Sequence, residues 1–131
     1  MNRLDFHYDE AYYPAMPVVE LAVDGYAGRP PRALTALIDS GADGTMIPLD
    51  VLQAVDALFE DTVHMRGVLG ESELVDRYTV AIKIGSRTLH GIHAVSVQTG
   101  DEAIVGRDVL NFLVMTLNGP AHVTQVESDE E

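Results

Sequence analysis

Alternation of apolar and polar positions with a period of two dominates this chain and predicts a mainly β fold. In Val19-Glu20-Leu21-Ala22-Val23-Asp24 the branched apolar residues share one face and the acidic residues the other, the signature of a half-buried strand. Gly25 to Pro31 holds two glycines and two prolines and must be a loop. Ala33-Leu34-Thr35-Ala36-Leu37-Ile38 is apolar on both faces, which predicts a central strand covered on both sides. That strand runs directly into Asp39.

Downstream, Pro48 to Phe59 places Val51, Leu52, Val55, Leu58 and Phe59 at helical spacing, with Pro48 suited to a first turn. Strands are expected over Thr62–Arg66 and Leu74–Ile84, joined by Gly67-Val68-Leu69-Gly70-Glu71 into a long hairpin with a glycine-containing tip. Gly85-Ser86 suits a two-residue turn, because glycine at the first central position permits positive φ, and leads into a strand over Arg87–Val97. Ala103-Ile104-Val105 is a short strand, Arg107–Leu113 a short C-terminal helix, and Val114–Leu117 the last strand before the Asn118-Gly119-Pro120 breaker. No domain boundary or internal repeat is visible, so residues 1–131 read as one domain.

At 131 residues, 47% hydrophobic and 22% charged, the chain is long enough to bury its own core. No apolar run is long enough to span a bilayer, so a soluble protein with no membrane partner is expected. Met1 to Glu10 has no apolar signal-peptide core, which makes the cytoplasm the expected compartment. The absence of cysteine removes disulfides, thiolate metal sites and thiol nucleophiles. A formal net charge of −13, from 21 acidic and 8 basic residues, repels phosphate backbones and argues against nucleic acid as a partner. The like-charged tail over residues 127–131 is expected to fray into solvent.

The chemistry is concentrated in Leu37-Ile38-Asp39-Ser40-Gly41-Ala42-Asp43. As a tripeptide, Asp39-Ser40-Gly41 could be an ordinary polar turn. Placed directly after a buried apolar strand, however, the carboxylate is poorly explained by packing, since burying an unpaired charge is unfavourable. The segment resembles the Asp-Thr/Ser-Gly-Ala signature of retroviral-type (retropepsin-like) aspartic peptidases. Ala103-Ile104-Val105-Gly106-Arg107-Asp108-Val109-Leu110 resembles the apolar-apolar-Gly-Arg-Asp/Asn-x-Leu segment that opens the C-terminal helix in that family. The resemblance covers about 18–117, leaving an N-terminal extension, 1–17, and the acidic tail outside it. The extension, with Tyr8, Tyr12 and Tyr13, is expected either to pair with a partner chain or to cover a sheet edge.

The resemblance implies a retropepsin-like β barrel with one lobe per chain, active as a two-fold homodimer. The chain offers one Asp-Ser-Gly, so a second carboxylate must come from a second copy. The implied activity is hydrolysis of peptide or unfolded protein substrates by water, without metal or cofactor. Asp39 is the implied catalytic residue, and Ser40, Gly41 and Ala42 form the active-site loop: Ser40 bonds across the axis, Gly41 allows close backbone approach, and Ala42 replaces a pKa-lowering hydroxyl of pepsin-like enzymes. A working pH nearer neutral than pepsin's follows from that replacement. Asp43 and Arg107 are implied to form a structural ion pair, and Gly67, Val68, Leu69 and Gly70 a flap, although with fewer glycines than the retroviral flap.

Other readings are weaker. His90 and His93, three apart on a strand, point to opposite faces and do not readily chelate one ion, with His7 and His64 as the other possible ligands. Met46, Met65 and Met115 read as core residues. The rival function is a non-catalytic dimeric peptide-binding or assembly module on the same fold, which would have no need of the Asp39 carboxylate.

Overall fold

A computed structural model describes residues 2–67 and 69–128. Strands β1 (Asn2–His7), β2 (Val18–Asp24), β3 (Arg32–Ile38) and β4 (Met46–Pro48) precede helix α1 (Leu49–Ala54). Strands β5 (Leu58–Arg66), β6 (Ser72–Ile84), β7 (Arg87–Val97) and β8 (Ala103–Val105) lead to helix α2 (Arg107–Leu110). Strands β9 (Met115–Asn118) and β10 (Val123–Ser128) follow.

The main sheet has the order β2-β3-β8-β4-β7-β6-β5, and β6 pairs back onto β2 from Ala22↔Lys83 to Asp24↔Ala81. Six strands therefore close into a barrel, and β5 continues outward from β6. Closure removes most free edges, which is how a small β protein protects its backbone groups from other chains. Inside lie Val19, Leu21, Val23, Ile47, Leu52, Val80, Ile82 and Val105, all almost fully buried. The mainly β barrel expected from the sequence is present.

Several expectations about individual elements need correcting. β3 lies between β2 and β8, but Ala33 and Thr35 are exposed and Leu37 is half-buried, so the strand is not covered on both faces. Helix α1 stops at Ala54 rather than extending to Phe59. Asp56 adopts φ 53°, its N–H bonds Gln53 O at 3.0 Å, and Ala57 N–H bonds Leu52 O at 2.9 Å. This left-handed closure satisfies the last carbonyls and turns the chain into β5. Leu58 and Phe59 thus belong to an exposed strand end, although their spacing had matched the helix. Helix α2 is likewise shorter, four residues followed by a turn.

Of the terminal elements β9 was expected, but β1 and β10 were not expected as strands. β1 pairs with β10 in antiparallel register from Asn2↔Ser128 to His7↔Val123, and β10 pairs with β9. Val114–Leu117 is therefore not the last strand, and Glu127 and Ser128 belong to a ladder rather than to a frayed tail; Asp129, Glu130 and Glu131 lie outside the described residues. Val126 is 1% exposed and packs in the barrel core, with Phe6 against it. Among the described side chains of β10 only Thr124 and Val126 are buried, a two-residue signal easily lost beside the acidic end. Of the methionines read as core, Met46, Met65 and Met115 are all only partly buried, and the first two line a groove. No helix among the described residues is long and apolar enough to cross a membrane.

Candidate active site

Asp39 stands where two parallel strands end together. β3 and β8 run side by side through Ile38↔Val105, and Asp39 N–H continues the ladder onto Val105 O at 3.0 Å. The chain then turns sharply: Ala42 N–H bonds Asp39 O at 3.1 Å, and Gly41 N–H donates to Asp39 Oδ1 at 2.9 Å. A Cβ on Gly41 would lie 3.2 Å from that same Oδ1. Glycine thus lets the backbone donate to the carboxylate without crowding it. Asp39, Ser40 and Gly41 are exposed in the single chain, so the burial expected of this carboxylate is not found within one copy.

The segment from Val105 to Asp108 holds the Asp39 loop from behind. Arg107 N–H bonds Ala42 O at 2.9 Å, its Nη1 bonds Ser40 O at 2.7 Å, and its Nη2 pairs with the Asp43 carboxylate. With Asp43 almost wholly solvent-facing, such an ion pair contributes at most about 1 kcal/mol, so its role is to hold the loop in place. Gly106 is enforced by space: an added Cβ would lie 2.6 Å from Gly44 O and 2.9 Å from Ala42 O.

Two further residues complete this clamp, and the sequence reading missed both. Thr45 is fully buried; its hydroxyl donates to Asp108 Oδ1 at 2.7 Å, and its N–H to Asp108 Oδ2 at 3.1 Å. Gly106 N–H in turn donates to Thr45 Oγ1 at 3.2 Å. Asp108 had been noticed only as part of a motif; a threonine three residues past the Asp-Ser-Gly-Ala run was the available signal.

In front of the loop lies an open groove of about 930 Å³. Gly41, Ala42 and Asp43 line it together with Val63, Met65 and Val75 of the β5–β6 hairpin and with Phe112, while Asp39 itself is not among the lining residues. At the hairpin's base Arg77 grips Asp61 with two hydrogen bonds, 2.8 and 2.7 Å, across the β5–β6 ladder. The guanidinium holds the Asp61 carboxyl below its ordinary range, and the carboxylate raises Arg77 in turn. At the tip, Gly67 N–H bonds Glu71 O at 2.7 Å, Gly70 adopts φ 86°, and Leu69 is 93% exposed. Val68, assigned to the flap from the sequence, lies outside the described residues.

His90 and His93 both border the groove, but each has its own neighbour: Tyr26 OH at 3.0 Å for His90 and Thr79 Oγ1 at 3.5 Å for His93. A smaller hollow of about 300 Å³, lined by Thr35, Leu37, Asp50 and Glu102, opens on the outer side of β3 and does not include the Asp39 loop.

A family model described as aspartyl protease matches residues 19–109. Among solved structures, a retropepsin-like aspartic protease from Rickettsia conorii superposes with a TM-score of 0.64 at 11% identity, over 95% of this chain and 90% of that one. The EIAV protease superposes with 0.57 at 19% identity, over 74% and 86% of the two chains. The simian foamy virus (mac) protease gives 0.53 at 20% identity, over 72% and 92%. At these identities the likeness is one of fold. No curated protein sequence matches the chain.

Proposed function

The chain belongs to the aspartyl protease family, and on that premise we propose that it is an aspartic endopeptidase whose active form is a homodimer with one Asp39 from each copy. The observation that carries this reading is the position of Asp39: exposed at the end of β3, held by its own Gly41 N–H, and clamped from behind through Ala42, Asp43 and Thr45. A carboxylate fixed this firmly yet open to the outside is half of a site. A two-fold axis beside the loop supplies the other half, because an isologous interface brings each residue to its own copy.

Two carboxylates at hydrogen-bonding distance share one proton, as is general for aspartic proteases. The ionised member takes a proton from a bound water, the protonated member polarises the scissile carbonyl, and the water attacks the carbonyl carbon with no covalent intermediate. Proton donation to the amide nitrogen then releases the amine. Gly41 N–H fixes the orientation of the Asp39 carboxylate in its own copy. Ser40 is assigned to bond across the axis; among the described residues its hydroxyl has no partner in its own chain. The groove accommodates an extended peptide, with Val63, Met65 and Val75 in its lining, and Gly67, Leu69 and Gly70 of the hairpin tip are assigned the part of a flap.

The shared-site reading is tested by mixing. When wild-type chains are re-equilibrated with an equal amount of Asp39→Asn chains, random pairing leaves about half of the wild-type chains with a wild-type partner. Peptidase activity per wild-type chain therefore falls by about half, and further as the variant is added in excess. Activity that ignores the added variant excludes a dyad shared between copies.

A further inference from the structure

The charge of the groove runs against that of the chain. Acidic residues outnumber lysine and arginine by 21 to 8 in the sequence, yet the groove is lined by two of each, Asp43 and Asp108 with Arg66 and Arg77. Both carboxylates are already engaged, Asp43 with Arg107 and Asp108 with Thr45. Arg77 is likewise taken up by Asp61. Arg66 is not: it is exposed at the end of β5, opposite Ser72 and beside the hairpin tip, and no ion pair reaches it among the described residues. Acidic residues gather instead around the smaller hollow, where Asp9, Asp50, Asp101 and Glu102 meet no lysine, arginine or histidine in the lining.

His90 adds a directed donor to the same lining. Gly91 N–H donates to Tyr26 OH at 3.1 Å, and that hydroxyl lies 3.0 Å from His90 Nδ1. An amide nitrogen can only donate, so the hydroxyl oxygen accepts there and its own proton is free for Nδ1. In the neutral ring this leaves the N–H at Nε2, which no described residue bonds. Tyr26 holds its place at φ 66°, a conformation that a non-glycine residue keeps only where its surroundings fix it. His93 is engaged differently. Thr79 Oγ1 donates to Glu60 at 2.7 Å, so toward His93 Nδ1, 3.5 Å away, it acts as acceptor, and the ring N–H is turned to Thr79.

We propose that the groove selects peptide segments carrying an acidic side chain, with Arg66 as the charge partner of the carboxylate and His90 as a second, uncharged donor in the same groove. The proposal rests on the peptidase reading above and names the class of peptide that such an enzyme cleaves. A guanidinium offers donors only and pairs best with a carboxylate. A basic side chain would meet the like charge of Arg66 and find no unengaged carboxylate in the lining. The net charge of −13 does not reverse this preference. At physiological salt, exposed charges more than about 8 Å away are largely screened, so the groups of the groove itself decide.

Binding to the Asp39→Asn protein tests it, since that variant keeps the groove and leaves the peptide uncut. An apolar peptide with a neutral fluorescent label is made with Glu, Gln or Lys at its central positions, and binding is followed by anisotropy. The Glu form is expected to bind at least about threefold more tightly than the Gln form and the Lys form more weakly than either, with the differences shrinking as salt is raised. Adding Arg66→Glu, at an exposed position outside the core, is expected to place Lys ahead of Glu. Adding His90→Phe instead is expected to reduce the advantage of Glu over Gln by about half. A Glu form that binds no better than Gln, an order unchanged by Arg66→Glu, or no binding of any form overturns the selection. An advantage untouched by His90→Phe removes His90 from it. Cleavage of the same peptides by wild type keeps the two claims apart. Cleavage without regard to charge rejects the acidic selection alone, whereas Glu-selective binding by a chain whose wild type cleaves none of them rejects the peptidase alone.

Discussion

Asp108 holds Thr45 with both carboxylate oxygens, Oδ1 on the hydroxyl at 2.7 Å and Oδ2 on the backbone N–H at 3.1 Å. The bond joins the start of α2 to the far end of the Asp39 loop, so the geometry of the loop is set by residues more than sixty positions away. Thr45→Val keeps the shape but leaves Asp108 Oδ1 and Gly106 N–H without their partner, one of them in a buried setting. Loss of such bonds is expected to lower unfolding stability by about 1–3 kcal/mol in urea titration and to lower kcat with it. A Thr45→Val protein as stable and active as wild type would show that the clamp is incidental.

The two glycines of the site separate stability from activity. At Gly106 a Cβ meets backbone at 2.6 and 2.7 Å, which no rotamer change relieves, so Gly106→Ala is expected to cost about 1–3 kcal/mol of stability. At Gly41 the added methyl meets only the Asp39 carboxylate, at 3.2 Å. Gly41→Ala is therefore expected to shift stability by no more than about 0.5 kcal/mol while peptide cleavage drops sharply. Urea titration and a cleavage assay on the same preparations check both.

The Asp61–Arg77 pair at the base of the hairpin predicts a pH dependence with a definite sign. Because Arg77 holds the folded-state carboxyl below its ordinary value, the pair stabilises the fold fully above the unfolded value, about 3.9 for Asp. The contribution fades as pH falls through the lower folded-state value. The difference in stability between wild type and Asp61→Asn should thus be constant near neutrality and shrink below about pH 4. A difference that grows on acidification contradicts the assignment.

Asp56 ends α1 in a left-handed conformation, φ 53°. A β-branched residue is poorly accommodated there, and Asp56→Val is expected to cost about 1–2 kcal/mol. Asp56→Gly should be nearly neutral, since glycine adopts this conformation without strain. Thermal unfolding of the two variants gives the comparison.

Much of the barrel was legible because apolar residues recur at alternate positions, most clearly in β2, where Val19, Leu21 and Val23 are buried; β6 and β7 alternate only in part, and their ladder is irregular between Val80 and Ile82. The errors arose where local and tertiary signals diverge. Leu58 and Phe59 continued a helical spacing that the turn at Asp56 had already ended. β4 was too short to register a period, and β1 and β10 are stabilised by each other across the whole length of the chain. The Asp39 loop stood out because a polar turn follows an apolar strand. The Thr45–Asp108 clamp did not, since two residues that meet only through the fold leave no local pattern.

The central claim is that Asp39 performs peptide hydrolysis, and the most direct measurement is cleavage of casein across pH 3 to 8 by wild type and Asp39→Asn. Wild type is expected to release peptides, and the variant, equally folded by circular dichroism and equally associated by sedimentation, to release none. Cleavage by Asp39→Asn at the wild-type rate would contradict the account outright.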